Sequence, residues 1–86
     1  MKNIKDPFKT DKPLYDHSIN YNTSHLPKTL QDIIIELDNY DKVGDWFNYD
    51  LKFEELDINA KSYLINEKIS EYDYKTLLKK YGGIYD

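Results

Sequence analysis

The chain has 86 residues and a mass of 10.3 kDa, with sixteen acids against twelve bases, no cysteine and one tryptophan. That length admits one small domain and excludes a two-domain enzyme with a deep interdomain cleft. The missing cysteine removes any disulfide framework, thiolate zinc site, iron–sulfur cluster or cysteine nucleophile.

No apolar run approaches the ~18 residues of a membrane span, and the opening MKNIKDPFKTDKP lacks the apolar stretch of a signal peptide. The expectation is a cytoplasmic protein with no membrane contact. The net charge of −4 is unevenly spread. Residues 1–28 carry five lysines against three aspartates, residues 29–59 nine acids against two lysines, and residues 60–86 five lysines against four acids. Every base is a lysine. Without arginine the chain lacks the bidentate fork that grips phosphates and reads guanine edges, so direct nucleic-acid binding is not expected.

Residues 1–28 contain Pro7, Pro13 and Pro27, both histidines, and no helical periodicity. Proline fixes φ and withholds a backbone donor, which predicts an extended, irregular N-terminal arm. From residue 29 onward the pattern is that of a mainly α domain, a small three-helix bundle over 29–86. The first helix is placed at about 30–40. Thr29 and Asp32 have the spacing of a capping box, and Leu30, Ile33, Ile34 and Leu37 recur on one face. Gly44 is suited to a left-handed stop.

Asp45 is the N-cap candidate of a second helix over 45–65, with Trp46, Tyr49, Phe53, Leu56, Ala60, Tyr63 and Leu64 on its core face. Phe47, Leu51 and Ile58 form an adjacent stripe, so this helix is expected to sit centrally and bury a broad arc. The third helix, 70–81, opens with Ser70 as cap and Asp73 at the third position; Ile69 and Tyr74 are spaced for a hydrophobic staple. Tyr74, Leu77, Leu78 and Tyr81 face the core, and Gly82 follows as a stop.

Catalytic signals are weak throughout. His17 and His25 lie eight residues apart in the irregular arm, without the spacing of a metal pair or an HExxH motif. They read as surface or packing histidines. No nucleophile elbow, phosphate-binding loop or dinucleotide fingerprint is present, and no carboxylate pair sits in a desolvating context. The chain is expected to be no enzyme, with no catalytic residues, no cofactor and no metal site.

The acids are the most informative feature. Asp50, Glu54 and Asp57 fall at i, i+4 and i+7 on the second helix, and Asp32 and Glu36 lie four apart on the first. Like charges at that spacing mildly destabilise a helix. They are either a solvated face or a surface that meets a basic partner. Nine tyrosines add a second hint, since tyrosine is enriched at interfaces. Tyr15 and Tyr21 have no core position in the helical pattern, so they and the arm's lysines are read as a second contact. The alternative is that the arm folds back on the acidic helices of its own body.

With Trp46-Phe47-Asn48-Tyr49-Asp50 opening a long amphipathic helix and Leu77-Leu78-Lys79-Lys80-Tyr81-Gly82 closing the last one, residues 29–86 resemble small acidic helical accessory proteins of Gram-positive phages and mobile elements. The type is similar to anti-CRISPR and other anti-defence inhibitors. That resemblance implies a non-enzymatic inhibitor that docks on a basic protein such as a nucleic-acid-guided nuclease. The candidate partner-binding residues are Asp32, Glu36, Asp50, Glu54, Asp57, Tyr15 and Tyr21. An antitoxin, immunity protein or regulatory adaptor with one basic partner is the alternative.

Overall fold

A computed structural model describes residues 10–82. The arm lysines Lys2, Lys5 and Lys9 lie outside the described residues, as does Tyr85. Three helices form a mainly α bundle: α1 (Lys28–Val43), α2 (Trp46–Ile65) and α3 (Glu71–Gly82). Helix α2 is central, packing against both α1 and α3.

Helix ends follow local chemistry. Gly44 takes φ 72° and ψ 22°; its amide donates to Asp41 O, and the Asp45 amide donates to Tyr40 O over 2.9 Å. Together these form a Schellman stop at the end of α1. Asp45 then caps α2, its carboxylate accepting from the Asn48 amide at 3.2 Å and the Asn48 side chain at 2.7 Å. At α3 the capping box is complete: Asp73 N donates to Ser70 Oγ at 3.0 Å, and Ser70 N donates to Asp73 Oδ2 at 3.2 Å.

The start of α1 differs from expectation. Thr29 and Asp32 do not form a box, because the helix begins earlier. Pro27 stands at the cap position without a side-chain bond, and its carbonyl accepts from Leu30 N and Gln31 N. Thr29 therefore already lies inside the first turn, and Asp32 pairs with Lys28 instead, at 3.2 Å. The C-terminal end also runs past the expected Tyr40, to Val43.

Leu30, Leu37, Leu56, Ala60 and Leu77 are fully buried, with Ile33, Ile34, Tyr49 and Tyr81 beside them. Trp46, Phe53, Tyr63, Leu64 and Tyr74 pack around that centre only partly buried. The arm belongs to the same core. Leu14, Tyr15 and Leu26 are buried in it, and Tyr21 packs against it. The outer stripe of α2 departs from expectation: Phe47, Leu51 and Ile58 are exposed. Helices α1 and α3 take the other sides of α2, and no further helix among the described residues covers this one.

Candidate functional site

The described part of the arm is held to the body at two places by carboxylates. At the first, Tyr15 OH donates to Asp38 Oδ1 at 2.9 Å, the Leu14 amide donates to Asp41 Oδ1 at 2.7 Å, and His17 Nε2 lies 2.9 Å from Asp41 Oδ2. The Tyr15 ring stacks on His17 and tilts against Tyr81, and the Lys80 ammonium lies 5.3 Å from its centroid. Burial, then the hydrogen bond to Asp38, raise the Tyr15 pKa, which keeps the hydroxyl a donor.

At the second, Asp73 collects Tyr21 OH at 2.6 Å, His25 Nε2 at 2.9 Å and Ser70 Oγ at 3.0 Å. Burial opposes ionisation of this carboxyl. The bonds from Tyr21, His25 and Ser70 outweigh it and hold the pKa at about 2. Lys80 closes the arm's middle, its ammonium donating to Ile19 O while its own carbonyl accepts from the Asp16 amide.

These contacts redistribute the predicted partner residues. Tyr15 is buried and Tyr21 half-buried, each with its hydroxyl committed to a carboxylate of the same chain. In the single chain the arm's aromatic residues meet the bundle's own acids, as the fold-back alternative expects. Asp57 is likewise engaged, accepting from Tyr74 OH of α3 at 2.9 Å. Both histidines act as packing and hydrogen-bonding groups at these two places.

Asp32, Glu36, Asp50 and Glu54 remain exposed, but not as one stripe. Glu36 and Glu55 share Lys52, at 3.4 and 3.1 Å, on the α1 side of α2. At 100° per residue Asp50 and Glu54 turn toward the α3 side, where Asp57 meets Tyr74. No lysine among the described residues forms an ion pair with Asp50 or Glu54. Burial, and then the neighbouring Glu54 charge, raise the Asp50 pKa. Between these acidic flanks runs the exposed side of α2, with Leu51, Ile58 and Ile65 along it.

A half-open pocket of about 380 Å³ lies between the arm and α2, lined by Thr10, Lys12, Leu14, Trp46, Tyr49 and Asp50. Its lining is mostly apolar. Among the described residues, no group of three or more His, Asp or Glu side chains is placed to hold a metal ion. No helix among them is long and apolar enough to cross a membrane. No family model, curated protein or solved structure matches the chain.

Proposed function

We propose that this protein is a non-enzymatic binding protein that docks an acidic helical surface on a basic protein. In this reading it acts as an inhibitor of the anti-CRISPR type, with a nucleic-acid-guided nuclease as partner. The observation that carries the reading is the Asp50–Glu54 pair: two exposed carboxylates one helical turn apart, with no ion-paired cation among the described residues and with the Asp50 pKa raised. Such a pair destabilises the free chain slightly and gains most when a partner supplies a lysine or arginine.

On α1, Asp32 is paired with Lys28 and Glu36 with Lys52, so both contribute less than the Asp50–Glu54 pair. An antitoxin or immunity protein would use the same electrostatics against a basic toxin, and the identity of the captured partner separates the two.

The test is capture by the full chain from a Gram-positive bacterial lysate at low and high salt, alongside Asp32→Lys/Asp50→Lys. A basic nuclease retained by the native chain at low salt, released by added salt and lost in the double variant supports the reading. Equal retention by both chains overturns it.

A further inference from the structure

The outward side of α2 carries three large aliphatic residues at strict seven-residue spacing. Leu51, Ile58 and Ile65 are 54%, 69% and 74% exposed. Spaced by sevens, they drift only slowly around a 3.6-residue helix and form one seam of roughly 21 Å at 1.5 Å per residue. Scattered surface leucines need no explanation, but a continuous aliphatic line on the central helix of a small bundle does.

The charges beside the seam are polarised along it. Glu54 and Glu55 lie on the N-terminal side of Ile58, and Lys61 lies on its C-terminal side. Neither Glu54 nor Lys61 makes an ion pair among the described residues. Seven residues apart, they are about two turns of helix from each other and do not satisfy one another within the chain.

We infer that this seam is a self-association surface, on which a second copy of the chain packs its own α2 antiparallel about a two-fold axis at Ile58. That axis sets Ile58 against its own counterpart and Leu51 against Ile65 of the second copy, because both lie seven residues from the centre. It also sets Glu54 beside Lys61 of the second copy, twice over by symmetry, while Glu55 stays on the opposite flank with Lys52. A shallow open groove of about 280 Å³, lined by Ile58, Lys61, Ser62, Ile65 and Asn66, lies where the incoming Leu51 arrives.

A parallel pairing would place Glu54 beside Glu55 of the second copy and leave Lys61 without an acid, which is unfavourable. The pattern is therefore self-complementary in one orientation only, as a two-fold interface requires. Asp50 and Asp32 stay on the flanks, but pairing engages Glu54, so the dimer keeps only part of the proposed acidic docking surface free.

Sedimentation equilibrium or light scattering of the full chain over a wide concentration series tests this. The expected species at high concentration has about twice the 10.3 kDa mass of one chain. Ile58→Glu is expected to give a monomer with an unchanged helical circular-dichroism spectrum, since the replaced side chain is exposed in the single chain. Glu54→Lys and Lys61→Glu should each weaken the dimer roughly tenfold, and the two combined should restore it. A native chain that stays monomeric throughout overturns the inference and leaves the seam to a different protein. A dimer untouched by Ile58→Glu, or a charge swap that fails to restore pairing, overturns it as well.

Discussion

The Tyr21 hydroxyl donates to the Asp73 carboxylate over 2.6 Å, joining residues 52 positions apart. The same carboxylate caps α3 through Ser70 and lies within hydrogen-bond distance of His25, so one buried residue serves both a local and a long-range purpose. Its pKa falls from the ordinary 3.8 to about 2 despite burial, because the bonds it accepts favour the charged form. A folded-state pKa below the unfolded value contributes stability that is full above about pH 4 and lost as pH falls toward 2. The shift corresponds to about 2 kcal/mol at neutral pH. Urea melts at pH 7 and pH 3 should show Asp73→Asn markedly less stable than the native chain at pH 7. The gap should narrow at pH 3. An equal gap at both pH values would show that the carboxylate's charge is not what holds the arm.

Gly44 links the turn to the arm in a different way. Its φ of 72° already disfavours any side chain, and a Cβ built there would run into the Thr10 carbonyl, whose own amide donates to Gly44 O at 2.8 Å. Gly44→Ala therefore carries the left-handed cost of about 1–2 kcal/mol plus displacement of the arm at Thr10. Chemical denaturation should register a loss above about 1 kcal/mol, and amide exchange at Thr10 should accelerate. Unchanged exchange at Thr10 would separate the turn from the arm.

Leu56 is the central core position, fully buried on the central helix, whereas Phe53 is only partly buried. Leu56→Ala should cost about 3–5 kcal/mol in urea melts, and Phe53→Ala visibly less. The reverse order would place the core one turn away from Leu56.

The contrast between those two residues shows how far the sequence can be read. Apolar spacing identifies which positions on α2 face inward, and capping residues mark Gly44, Asp45 and Ser70, because both signals act within one or two turns. Spacing does not say which neighbour lies on each side of the helix. Phe53 and Leu56 share a stripe, but only the packing of α1 and α3 decides which is enclosed. The same gap explains the acids: Asp50, Glu54 and Asp57 line up on a helical wheel, yet α3 brings Tyr74 to Asp57 and leaves the other two exposed. The arm was least legible. Besides Leu14 and Leu26 in the core, its contacts are single bonds between residues far apart in sequence, such as Tyr15 with Asp38, and no period records them. The excess of acids over lysines in residues 29–59 was the available signal for a fold-back, and the groups that answer it are tyrosines, histidines and a backbone amide.

Asp50 separates stability from binding. Its pKa is raised by partial burial and by Glu54, so ionising it costs the folded chain free energy that the unfolded chain does not bear. The sign is opposite to that of Asp73: a raised folded-state pKa favours the fold below the unfolded value and weakens it as pH rises through the shifted one. Asp50→Asn removes the repulsion and should leave stability at neutral pH unchanged or raise it by a few tenths of a kcal/mol, in line with like charges four residues apart. A partner's cation at this position would pull the Asp50 pKa back down on binding. Affinity should therefore be greatest above the free-chain value and fall on acidification through it. In Asp50→Asn this acid limb should shrink and binding at neutral pH should weaken, with slower association as the main cause. Thermal melts and association rates measured on the same two proteins check both halves. A variant that binds as fast as the native chain would assign Asp50 to solvation alone, whatever its melting temperature.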